Sequence, residues 1–212
     1  CLEKSGNGTP RNSEAEVMKK KLMLGITLAL LLIGMLTLAF NIQPVKAGGT
    51  IYIRADGSVE GTDKIQRDGN VYTFTDNIDE PIFLERDNIV VDGAGHTLQG
   101  TGSGTGICLS GRNKVNIKNT KIEAFWYGIS IDHSSNNKIV GNNIVANEPY
   151  GIELLNYSSN NNIVGNIIAN NDNGIGVYEY GTTSNNIIGN NIPASGVGID
   201  IDYASNHNIV SG

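Results

Sequence analysis

Basic side chains run out two thirds of the way along this sequence. No Lys or Arg follows Lys138, whereas six acids do: Glu148, Glu153, Asp172, Glu179, Asp200 and Asp202. Cysteine is equally scarce, and two residues cannot build a disulfide scaffold. Aromatics make up only 6% of the chain, with a single Trp. A net charge of −6 excludes the basic face that a nucleic-acid binder needs, so no nucleic-acid partner is expected. Helix formers are crowded out by 27 Gly and by abundant Asn, which excludes a helical bundle. The 212 residues allow one domain of ordinary size with a tail.

The long apolar run is confined to the first quarter. Residues 1–17 are polar and aperiodic, and read as a disordered or mis-called upstream segment. Lys19, Lys20 and Lys21 then precede an uncharged stretch of 19 residues, Leu22 to Phe40. Val45-Lys46-Ala47 carries small or aliphatic residues at −3 and −1, so cleavage is expected after Ala47. The stretch is longer than the ~7–15 residues of a signal core and close to the ~20 of a bilayer span. Residues 18–47 therefore read as a signal peptide or, if uncleaved, an N-terminal anchor that touches the membrane through residues 22–40. Either way the body is expected to be secreted or displayed at the cell surface. From Gly48 onward nine Lys and Arg face eighteen Asp and Glu, a net charge of −9. The acidic second half suits neutral glycans or cations better than polyanions, or simply keeps the surface soluble.

The body repeats itself. Gly106-Ile107-Cys108-Leu109 recurs at Gly128, Gly151, Gly174 and Gly198, at spacings of 22, 23, 23 and 24 residues. Between these anchors lies Ile139-Val140-Gly141-Asn142-Asn143-Ile144, which recurs from Ile163 and Ile187. Each unit holds three short β-branched segments split by Gly, Asn and Ser, too short for helices. Three strands per turn stacked at ~4.8 Å make a parallel β-helix. The expected fold is all-β: a single-stranded right-handed parallel β-helix with a small β cap at 48–80 and repeats over 81–212. Roughly five to six coils fit. The chain stops mid-unit at Val210-Ser211-Gly212, so the native protein is expected to continue.

Period-2 alternation points both aliphatics of Gly-Ile-x-Ile inward. The glycine before each strand is expected to permit a tight backbone turn. Asn142, Asn166 and Asn190 occupy equivalent turns and read as a structural asparagine ladder, with Asn tolerating the left-handed conformation there.

These repeats resemble NosD-like proteins, also described as carbohydrate-binding and sugar-hydrolysis (CASH) domains built of parallel β-helix (PbH1) repeats. Thr50-Ile51-Tyr52-Ile53-Arg54-Ala55-Asp56-Gly57 and Asp87-Asn88-Ile89-Val90-Val91-Asp92-Gly93-Ala94-Gly95 resemble archaeal surface proteins of this group. The resemblance covers about Gly49 to Gly212. It implies a non-enzymatic surface module that contacts carbohydrate or a cell-surface polymer, and as alternatives a polysaccharide-active enzyme or a copper accessory factor.

Copper would ask for clustered His, Cys or Met. After Ala47 there is no Met, one Cys (Cys108) and His96, His133 and His207 in separate coils, so copper is not supported by the residue content. The outward positions of the repeated strand offer Asp132, Glu153 and Asp200, expected on one ridge one coil apart. They are the candidate catalytic acids of the enzyme reading. For substrate binding the candidates are Tyr178, Glu153, Asp132 and Asp202, with Tyr157, Tyr180 and Tyr203 as further stacking faces. Asp200 and Asp202 could take Ca²⁺, although calcium wants six to eight oxygens. No other cofactor is expected.

Overall fold

The computed structural model describes residues 16–27, 49–202 and 205–212. The chain divides into two units, Cys1–Ala47 and Gly48–Gly212. In the first, residues 16–27 are helical. Among the described residues no helix is long and apolar enough to cross a membrane. Most of the 22–40 stretch and the Ala47 cleavage site lie outside the described residues.

The second unit is a parallel β-solenoid with three walls. The first wall runs through Ile51–Ile53, Ile82–Leu84, Thr105–Ser110, Tyr127–Asp132, Tyr150–Leu155, Asn173–Val177 and Val197–Ile201. The second contains Val71–Phe74, Val90–Asp92, Asn116–Lys118, Lys138–Val140, Asn162–Val164, Asn186–Ile188 and Ile209–Ser211. Thr97–Gln99, Lys121–Glu123, Asn143–Val145 and Ile167–Ala169 form the third. Every neighbour within a wall is parallel and one coil distant, as in Ile129↔Ile152 and Ile139↔Ile163. Short β-branched runs suit this arrangement, because each strand needs only three to six pleated residues before the next corner.

The core is a set of aliphatic ladders. Ile107, Ile129, Ile152 and Ile175 stack in one, and Leu109, Ile131, Leu154 and Val177 in the next, all fully buried. Ile117, Ile139, Ile163 and Ile187 close the second wall, with Leu98, Ile122, Ile144 and Ile168 along the third. At the start, Ile51–Ile53 and Val71–Phe74 already belong to the parallel walls. The first coil is blunted instead by two antiparallel partners, Val59–Glu60 and Ile65–Asp68, which occupy what would be open sheet edges.

Two local expectations change their physical reason. The repeated glycines are not in left-handed conformations; the Gly106–Gly174 stack is absent from the positive-φ residues. A Cβ at Gly128 would lie 2.5 Å from the Gly151 carbonyl oxygen and 2.9 Å from Ile144 Cγ2. Close approach of the next coil, rather than a turn, forbids a side chain. The left-handed residue at the second corner is the glycine preceding the asparagine: Gly141, Gly165 and Gly189, with φ of 66°, 64° and 62°. Asn142, Asn166 and Asn190 follow it and point inward.

That pairing recurs at all three corners. A left-handed residue is followed by an inward Asn at Asn136-Asn137, Asn160-Asn161 and Ser184-Asn185, and again at Ala146-Asn147 and Asn170-Asn171. The amides of Asn137, Asn142, Asn147, Asn161, Asn166 and Asn185 each bond the coils on either side. Asn161 Oδ1 accepts from the Asn137 backbone N–H at 2.9 Å and from Asn137 Nδ2 at 3.0 Å, while Asn161 Nδ2 donates to the Ser134 carbonyl. Asn142 donates likewise to the Ile117 carbonyl and to Asn166 Oδ1. Buried corner groups that a turn would orphan are thus satisfied by side chains.

Candidate functional site

Alternation sends every second residue, counted from the one after the inward isoleucine of the first wall, outward, and register sorts them into columns. One column holds Cys108, Ser130, Glu153, Gly176 and Asp200. A second, two residues further on, holds Ser110, Asp132 and Leu155. A third, on the other side, stacks Thr105, Tyr127, Tyr150 and Asn173. Glu153 and Asp200 therefore share a column but lie two coils apart, separated by Gly176. Asp132 stands in the neighbouring column, one coil before Glu153. The three acids form a triangle rather than one ridge at single-coil intervals.

Glycine at 176 shapes the middle of this face. The space its side chain would fill is taken by the ring edges of Tyr178 and Tyr150. Tyr178 folds back along the wall. Its hydroxyl lies 2.9 Å from the Tyr150 hydroxyl and donates to Asp200 Oδ2 at 2.7 Å. Tyr127 and Tyr150 stack with rings 3° from parallel and centroids 6.2 Å apart, and Tyr178 meets Tyr150 edge-on at 5.7 Å. Burial, followed by its bonds to Tyr150 and Asp200, pushes the Tyr178 phenol up. Trp126 is exposed beside the cluster, while its neighbour Phe125 packs into the core. Tyr157 and Tyr180 are also exposed. Tyr203 lies outside the described residues.

Glu153, in register with Gly176, has only 9% of its surface exposed. No hydrogen bond or ion pair reaches its carboxyl among the described residues. Burial, reinforced by the like charges of Asp132 and Glu179, raises its pKa to about 7. Asp132 has the opposite surroundings. Its Oδ1 accepts from Asn156 Nδ2 at 2.9 Å and lies 2.9 Å from His133 Nδ1, and Ser110 Oγ approaches Oδ2 at 3.5 Å. Asp202 is half-buried at the end of the face, where its backbone N–H donates to the Val177 carbonyl. A carboxyl near neutrality beside a hydrogen-bonded carboxylate can donate and accept protons or hydrogen bonds together.

The stacked pair Tyr127–Tyr150 was not singled out from the sequence as a stack. Its signal was there, since both residues immediately precede a repeat glycine and so share one register.

Metal chemistry finds less. Among the described residues no group of three or more His, Cys, Asp and Glu side chains could hold an ion. Asp200 is already engaged by Tyr178, which leaves the Asp200–Asp202 pair short of a calcium shell. His133 lies beside Asp132 and His207 beside Asn206, in different coils. Burial, then Asp132, pushes the Cys108 thiol up, away from the thiolate that a soft metal requires.

Neither a curated protein nor a solved structure matches the chain. The family model described as "Periplasmic copper-binding protein (NosD)" matches residues 45–211. The copper in that description has no fitting ligand set among the residues described above. The match nonetheless spans most of the sequence and the whole parallel solenoid, and the chain belongs to the NosD family.

Proposed function

We propose that this chain is an exported periplasmic or surface β-helix module whose first wall binds carbohydrate without turning it over. The observation that carries this reading is the contiguous Tyr127–Tyr150–Tyr178 cluster beside Glu153. Tyrosine rings offer an apolar face for sugar C–H groups and a polar tip for hydroxyls. Glu153, half protonated near pH 7, can donate to one ligand oxygen or accept from a hydroxyl. Asp132 and Asp202 flank the rings as acceptors. With no Lys or Arg after Lys138, the face favours neutral or amine-bearing sugars. Membership of a family described as periplasmic supports export, as does the Lys19–Ala47 pattern. The test is a glycan-array screen of the full chain, run beside a polysaccharide-degradation assay with and without Ca²⁺. Saturable binding without product, weakened roughly tenfold in Tyr178→Ala, is expected, since one buried ring contact is worth about 1 kcal/mol or more. Absence of glycan binding under all conditions would overturn the reading.

One observation favours a second reading, in which Glu153 is the general acid and Asp132 or Asp200 the base of a glycan-cleaving site. It is the pKa of Glu153, raised to about 7 by burial and by the nearby charge of Asp132, whose carboxyl is itself held by Asn156. Product release that disappears in Glu153→Gln would promote it over the binding role.

A further inference from the structure

The second wall carries a groove of about 410 Å³ lined by Asn88, Val90, Lys114, Asn116, Asn136 and Lys138, with no acid among its walls. This is unusual in a body with twice as many acids as bases. Of the nine basic residues after Ala47, seven are engaged. Arg54 pairs with Glu60 and Glu85, Arg112 with Asp87, Lys118 with Asp92 and Lys121 with Glu123. Lys64, Arg67 and Arg86 donate to the Asn77, Gly69 and Ala55 carbonyls. The Lys114 and Lys138 ammonium groups have no hydrogen bond or ion pair among the described residues, and both side chains are exposed at the groove.

Their placement follows from the coil. Lys114 is the left-handed corner residue of its turn, φ 56°, stacked between Asn88 and Asn136 at φ 57° and 61°. Lys138 opens the next strand, in register with Asn116. Elsewhere in that column amide meets amide, as Asn186 Nδ2 donates to Asn162 Oδ1 at 2.8 Å. Lys138 interrupts the run, and Asn116 Oδ1 is left shut from water with no donor. Two uncompensated cations and two exposed carboxamides therefore converge on one concave site. Cations so placed focus a positive potential inside an otherwise negative surface.

We propose that this groove is a subsite for an anionic group on a hydroxylated ligand, a carboxylate or sulfate carried by a sugar. Lys114 and Lys138 hold the charge, and the exposed Asn88 and Asn136 amides take the hydroxyls. The site lies on a different wall from the tyrosine face and stands or falls apart from it.

The experiment is an amide chemical-shift titration of the full chain at low salt, with D-glucuronate, D-glucose and inorganic sulfate as probes. Glucuronate is expected to shift Lys114, Asn116 and Lys138 saturably, roughly tenfold more tightly than glucose, and more weakly as NaCl is added. The double variant Lys114→Gln, Lys138→Gln should lose this binding while the Ile117 and Ile139 amides keep their shifts. Equal response to glucose, or binding that survives the double variant, would overturn the proposal. Sulfate binding without glucuronate binding would mark an adventitious ion only and overturn it as well.

Discussion

Glu153 illustrates how much one position depends on neighbours that its own residue type does not reveal. An outward carboxylate on a strand is ordinarily solvated, yet this one is buried and lies near the charges of Asp132 and Glu179. Its pKa of about 7 stands above the ~4.3 of an unfolded glutamate, so the folded chain binds the extra proton between those values. The unfolded state binds fewer protons in that window, and stability falls as pH rises from about 4.3 to about 7. Urea denaturation across pH 4–8 should show this decline, and Glu153→Gln should flatten it, leaving the variant more stable at pH 8 by on the order of 1 kcal/mol. An unchanged slope would remove the burial argument. Glycine poses a matching contrast. Gly128→Ala should cost more than about 2 kcal/mol, because the atoms a Cβ meets are backbone and a core methyl. Gly198→Ala, with nothing within 4 Å and no left-handed φ, should be nearly neutral in the same denaturation assay.

At the scale of the element, the first-wall strands were legible because each needs only two inward aliphatics, and Gly-Ile-x-Ile states them directly. The corners were half legible. The Gly141-Asn142 copies stand out because glycine repeats with the asparagine. The equivalent corners Asn136-Asn137 and Ala146-Asn147 do not, because Asn, Ala and Ser also adopt the left-handed state there and disguise the pattern. The acid face was legible as a set of outward positions but not as an arrangement. Strand alternation gives the side of the sheet, whereas column membership depends on register, which places Asp132 two residues away from Glu153. Since a central ladder asparagine such as Asn161 serves two coils, its loss should exceed that of an ordinary hydrogen bond. Asn161→Ala orphans the buried Asn137 backbone N–H and Ser134 carbonyl and leaves Asn137 Nδ2 only its bond to the Arg112 carbonyl. A cost of about 3 kcal/mol or more is expected in chemical denaturation, against less than about 0.5 kcal/mol for the outward Asn143→Ala. Similar values for the two would mean that water replaces the ladder.

In the molecule as a whole, every coil touches only the coils before and after it, so stability is a sum of coil terms and nearest-neighbour interfaces. The two ends of the described solenoid differ in how that sum closes. Near the start, the antiparallel partners Val59–Glu60 and Ile65–Asp68 cover the first strands, and Tyr72 and Phe74 are fully buried. Around the last coil the ladder residues are open: Ile201 is 38% exposed and Val210 47%. Those positions repeat the chemistry of Ile131 and Ile187, which a further layer covers completely. An interface satisfied on one side only holds its hydrogen bonds with less than half the apolar burial of a central coil. In this chain, opening should therefore begin at Val197–Ser211 and proceed toward the middle, instead of involving all coils at once. Native-state hydrogen exchange reads this directly. The amides of Ile199 and Val210 should exchange at least ~100-fold faster than those of Ile129 and Ile152, with Gly174–Val177 between them. Uniform protection along the solenoid would require one cooperative unit spanning all coils, which strictly nearest-neighbour contacts of this kind do not provide.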